Sequence, residues 1–202
     1  MVFASIEWLG LVFWLGCSGL AYFLCGGSWR NSNVTNWYEK KNAYPLLQPS
    51  TLVISIFWGF GLLMIAVATF LVWRINLEYT PSANSETVGD GRFEVDQEMY
   101  ISALAIHLFG LFLVICWVRA FFGIKRIDVG IPVILLLLAA SAAEVVLYFI
   151  VSNLSFVDAW WVAGVLYSIY TAWILYIAIV NITIFFMNRK KKTKTTENLV
   201  QN

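Results

Sequence analysis

The sequence predicts an all-α membrane protein, a bundle of five transmembrane helices, and three observations carry that prediction. First, 60% of the 202 residues are hydrophobic and only 12% are charged, with a mean hydropathy of +0.76. A soluble domain of this length needs far more polar surface. Second, the apolar residues gather into five runs, at 6–27, 51–73, 100–122, 131–151 and 160–187. Each can cross a hydrocarbon core of about 30 Å at about 1.5 Å per residue. Third, the basic residues segregate. Five spans put the first connection, the third connection and the C-terminus on one side of the bilayer. Those segments hold Arg30, Lys40, Lys41, Arg119, Lys125, Arg126, Arg189, Lys190, Lys191, Lys192 and Lys194, leaving only Arg74 and Arg92 for the other. Four spans would divide them between the faces. The positive-inside rule then predicts a cytosolic C-terminus.

The first run lacks a basic leader, carries Glu7 near its start, and is long for a cleaved signal, so it is predicted to be a retained helix. Within it, Gly16 and Gly19 are expected to permit close helix contact. Cys17, Cys25 and Cys116 lie in apolar runs without metal-ligand spacing and are expected to be packing residues; no metal is expected. The first connection carries Trp29, Trp37, Tyr38 and Tyr44, side chains that favour the headgroup level. It is expected to fold back over one mouth of the bundle. Pro49 then fits before the first turn of the second helix, with Ser50 or Thr51 as its cap.

Between the second and third helices, residues 75–98 hold six acids against Arg92 alone and read as a solvated loop. Residues 1–188 are thus expected to form the transmembrane domain, interrupted by the acidic loop, and 189–202 a basic cytosolic tail. A net charge of +1 gives no reason to expect a nucleic-acid partner. The bilayer itself is the expected surrounding.

Few polar groups fall inside the spans. His107, Glu144 and Tyr167 share a depth roughly 10 Å below the boundary opposite the basic face. Polar groups in hydrocarbon are costly unless paired or facing a cavity. Two readings fit them: a hydrogen-bonded cluster that contacts a ligand or passes a proton, and a purely structural helix-to-helix bond. Depth alone does not choose. No catalytic set is present, since there is a single His, no nucleophile triad and no phosphate-binding glycine loop.

Three signatures resemble the translocator protein family, also called tryptophan-rich sensory proteins or peripheral benzodiazepine receptors. In the second helix, Pro45, Pro49, Val53, Trp58, Val67, Ala68 and Trp73 stand in the family's spacing, while Leu47, Ser50, Leu62 and Ala66 replace its usual Trp, Pro, Tyr and Gly. The third helix ends in Trp117, Phe121, Phe122 and Gly123, as in the family's W-x-P-x-F-F-G, with Gly110 and Val114 where the family often has Gln and Asn. The fifth carries Tyr170, Trp173, Tyr176, Asn181 and Asn188 in family register. Family connections between the second and third helices are usually short, so the acidic loop is an insertion by this comparison.

The resemblance implies a pocket between helices for a tetrapyrrole or another flat apolar molecule, with sterols as a second class, acting in transport or stress signalling. It implies that Trp58, Trp117 and Trp173 line that pocket together with Ile54, Leu62, Ile177, Val180 and Asn181. The sterol motif of animal members is weaker here, because Ile182 follows Asn181 and Phe186 takes the place of an Arg. The resemblance also implies a ligand rather than a required cofactor, homodimers, and the outer mitochondrial membrane for a eukaryotic source. Some bacterial relatives degrade porphyrin in light, which leaves weak activity of that kind open. The alternative is a structural or adaptor protein whose pocket has been lost.

Overall fold

The computed structural model describes the backbone of residues 2–29, 32–41, 48–79, 97–155 and 158–200. Among these residues nearly all are helical, and there is no strand. The elements are α1 (Val2–Trp29), α2 (Ser32–Asn36), a π-turn at Trp37–Lys41, α3 (Thr51–Tyr79), α4 (Gln97–Val118), a π-turn at Arg119–Gly123, α5 (Ile127–Ser155) and α6 (Asp158–Val200). Five of them are long and apolar enough to cross a membrane, and the predicted all-α, five-span class stands. The expected loop at 75–98 lies mostly outside the described residues, as do Arg30, Tyr44, Pro45 and Leu47.

The five long helices form a closed ring. α1 packs on α3, α3 on α6, α6 on α5 and α5 on α4, and the α1–α4 contact completes it. The helices run further than the apolar segments that announce them. The apolar part of α6 is Asp158–Arg189, yet the helix continues to Val200. Chains such as Lys and Glu favour helix outside the bilayer as much as inside it. α5 begins at Ile127, with Pro132 within it, so the proline falls inside the helix rather than at its first residue. Only one ladder bond is lost that way.

Many large apolar side chains face outward, among them Trp8, Phe13, Phe23, Ile56, Phe60, Phe112 and Ile179. In water such a surface would be a severe aggregation hazard. Against lipid tails it is the ordinary exterior, and helices that are apolar all round are expected. Burial therefore separates inside from outside here through packing, not through polarity.

The glycine expectation needs correction. Nothing lies within 4 Å of where a Cβ would stand on Gly16 or Gly19. The close approaches are elsewhere. A Cβ on Gly10 would sit 1.9 Å from the Trp73 ring, and one on Gly61 would sit 2.9 Å from Tyr170. What matters is the bulk of the opposing ring, which the glycine's own segment does not reveal.

Candidate functional site

The half of the bundle nearest the basic face is built from aromatic rings. On α3, Ile54, Trp58 and Leu62 recur at intervals of four and form one buried stripe. On the neighbouring α6, Ile177, Val180 and Asn181, three and four residues apart, are buried as well. Trp117 enters from α4. Trp58 and Trp117 are both fully buried and lie parallel, with ring centroids 4.7 Å apart and planes inclined by 18°. Offset stacking of this kind satisfies the ring quadrupoles.

The π-turn at Arg119–Gly123 extends the stack. By widening the helix it turns both Phe121 and Phe122 inward, and both are buried. Phe121 stacks on Trp117 at 5.7 Å, while Phe122 meets the same indole edge-on at 5.6 Å. Over this group lies the first connection. Tyr38 is buried, edge-on to Phe122 at 5.4 Å, and Trp37 meets Phe121 at 5.7 Å. The expected fold-back over one mouth is thus present in the described part of that connection.

One residue that the sequence did not single out fastens this cover. Glu39 Oε1 accepts hydrogen bonds from the Thr51 backbone N–H at 2.9 Å and the Thr51 hydroxyl at 2.8 Å. Gln48 Nε2 donates to the Tyr38 carbonyl at 3.1 Å. Ser50 Oγ accepts from the Val53 N–H at 3.3 Å, as its capping position predicts. Nothing in the neighbourhood of Glu39 signals the first contact, because its partner is twelve residues away.

Trp173 stands apart from the stack. It is half-buried and lies against Phe57 at 4.9 Å, and Phe57 is 51% exposed. Buried donors remain near the stack's depth. Trp117 Nε1 and Asn181 Nδ2 have no hydrogen-bond partner among the described residues. Trp58, Trp117 and Asn181 lie six to eight residues from the basic ends of their spans, a depth of about 9–12 Å.

The opposite half gathers the polar residues. His107, Glu144 and Tyr167 come together as their shared depth suggested, joined by Thr69 and Tyr148. His107 Nδ1 is hydrogen-bonded to the Tyr167 hydroxyl, lies 3.1 Å from Thr69 Oγ1, and is 4.0 Å from Glu144 Oε1. The Tyr167 and Tyr148 hydroxyls both bond to the Glu144 carboxyl. Thr69 Oγ1 also donates to the Ile65 carbonyl at 2.9 Å. His107 Nε2 and Glu144 Oε1 have no hydrogen-bond partner among the described residues. Trp14 of α1 closes the cluster, edge-on to His107 at 5.4 Å.

The cluster ties four helices together and shields one carboxyl from lipid. It offers an unpartnered ring nitrogen on His107, an acceptor on Glu144 and two phenols, which can exchange a proton or hold a polar ligand group. Neither Thr69 nor Tyr148 carried a signal in the sequence beyond being polar in a span. No group of three or more His, Cys, Asp or Glu gathers as metal ligands would among the described residues.

Comparison with known proteins adds one result. Residues 10–187 match a family model, that of the TspO/MBR family. No curated protein matches the chain at a significant level.

Proposed function

The chain belongs to the TspO/MBR family and is a translocator-type, multi-pass membrane protein, and from that premise we propose that it binds a flat apolar ligand of the tetrapyrrole class within its aromatic half. The observation that carries this reading is the stack of Trp58 on Trp117, fully buried and 4.7 Å apart. A macrocycle has two π-faces and can replace the indole–indole contact with two ring–macrocycle contacts. The donors at Trp117 Nε1 and Asn181 Nδ2 suit the carboxylate edge of such a ligand. Ile54, Leu62, Ile177 and Val180 would form the apolar walls, and Trp173 would stand at the rim. Binding would serve transport or stress signalling, in a chain that pairs as a homodimer and keeps its basic C-terminus in the cytosol. In a eukaryotic source its membrane would be the outer mitochondrial one.

A second reading, a structural protein without a pocket, is favoured by the same stack. Trp58 and Trp117 fill the space they would share with a ligand, and Leu62, Gly110 and Val114 stand where related chains have polar or aromatic groups. Tryptophan fluorescence separates the two. Titration of the detergent-purified chain with protoporphyrin is expected to quench to saturation. Trp58→Ala is expected to weaken that binding about tenfold, and Trp173→Ala to change it less. No saturation in the unmodified chain would refute binding. Tighter binding by Trp58→Ala would mark the stack as a plug and select the structural reading. A sterol added as competitor tests the second ligand class.

A further inference from the structure

Among the acidic and basic residues of the five spans, Glu144 is the exception. Every other one stands at an end: Glu98, Asp128 and Asp158 within the first two residues of a span, Arg74, Arg119 and Arg189 within the last five. Glu144 lies eight residues from Ser152 and seventeen from Ile127, nearer the face opposite the basic one. A carboxyl in mid-span is costly, and such groups recur in membranes where protons are relayed. For tying helices together it has no advantage, since a glutamine carbonyl could accept from both phenols as well. What the carboxyl adds is a proton that can leave.

Its surroundings suit both of its forms. The Tyr148 and Tyr167 hydroxyls can donate to a carboxylate and, by turning, accept from a carboxylic acid. A Lys or Arg partner would instead fix the charged form. The other groups around the carboxyl follow the same pattern. α4 brings His107, 4.0 Å away, and α6 brings Tyr170 next to Tyr167. α3 contributes the Thr69 hydroxyl, and α1 the Trp14 indole against His107. Toward the nearer face, Tyr100 lies two residues inside the span of α4 and within electrostatic reach of Tyr148. Glu144 Oε1, His107 Nε2 and the Tyr170 hydroxyl have no hydrogen-bond partner among the described residues, so the cluster keeps capacity to take up a proton.

We propose that this cluster is a proton-exchange site. Glu144 binds and releases one proton from the face opposite the basic one, by way of Tyr100 and Tyr148, and shares it with His107 through Tyr167. On uptake, a carboxylate oxygen forms an O–H bond with a proton supplied by water at that face. On sharing, that O–H bond breaks and its proton goes to the Tyr167 oxygen, while the phenol's own proton leaves for His107 Nδ1. No oxidant or reductant takes part.

The test is infrared difference spectroscopy on the full chain in liposomes, titrated with acid and base. The C=O stretch of a protonated carboxylic acid is expected to disappear as pH rises and to be missing from the same titration of Glu144→Gln. Glu144→Asp, which keeps the fold testable, is expected to retain a titrating band at a changed frequency. Tyr167→Phe removes one hydrogen bond to the carboxyl and is expected to move the midpoint by about one pH unit. In heavy water the band is expected to shift as the proton is replaced, and Tyr148→Phe to slow that replacement at least about tenfold. A purely structural carboxyl keeps one form, so a band that ignores pH, or one that heavy water leaves unchanged, overturns the proposal. So does a band that survives in Glu144→Gln, or that stays where it was in Glu144→Asp. An unmoved midpoint in Tyr167→Phe overturns the sharing with His107. A band that answers to sodium at constant pH overturns the proton assignment and leaves a metal-cation site.

Discussion

The two halves of this bundle solve the same problem with different forces. Near the basic face, α3, α4 and the first connection meet through stacked rings, and order comes from shape. In the other half, α3, α4, α5 and α6 meet through Thr69, His107, Glu144 and Tyr167, and order comes from directed hydrogen bonds. In lipid there is little hydrophobic drive for helices to associate, so both devices are needed. The contrast teaches where change is tolerated. Rings can slide or part to admit another ring, whereas a polar cluster loses its partners as soon as one helix turns.

The largest effect should come from the aromatic side. Trp58→Ala is expected to destabilise the chain by about 3–5 kcal/mol, because a fully buried indole leaves a cavity that its neighbours fill only in part. Thermal unfolding in detergent measures it, and a loss below about 1 kcal/mol would show that the stack is dispensable to the fold. Next is Gly10→Ala, where the added methyl meets the Trp73 ring. Overpacking of this kind costs about 1–3 kcal/mol, and the same alteration at Gly16 is expected to be neutral.

On the polar side, Tyr167→Phe removes the hydroxyl between His107 and Glu144 and is expected to cost about 1 kcal/mol, the scale of interhelical hydrogen bonds in membranes. Unchanged stability would mean that the cluster is held by packing alone. The smallest effect is the sharpest test of the comparison. Trp58→Ala combined with Tyr167→Phe should be additive within about 0.5 kcal/mol, since the two side chains lie at different depths, Trp58 against Trp117 and Tyr167 against His107. A larger coupling would join the halves into one unit.

The five spans were legible because lipid solvent demands long uncharged runs, and the positions of Trp58, Trp117 and the two Phe were legible through their spacing. Facing was not. Trp173 carries the same family register as Trp58 yet leans on Phe57 at the periphery, because outward and inward surfaces are equally apolar here. His107, Glu144 and Tyr167 could be placed at one depth by counting, and their meeting followed from the order of the ring. Glu39 and Tyr148 could not be found, since each acts through a partner on another element. The left-handed turn at Lys125 left no mark either, because lysine is not the residue such turns announce.

The Glu39 carboxylate has a consequence for traffic. It ties down the aromatic cover and also terminates α3 at Thr51, so the mouth cannot lift without loosening the first turn of a membrane helix and leaving both Thr51 donors unmet. If the proposed ligand binds, one arriving from water would have to wait for this latch to release, whereas one sliding in sideways from the bilayer between two helices would meet no such latch. For the ligand proposed above, entry from the lipid phase would be the easier door.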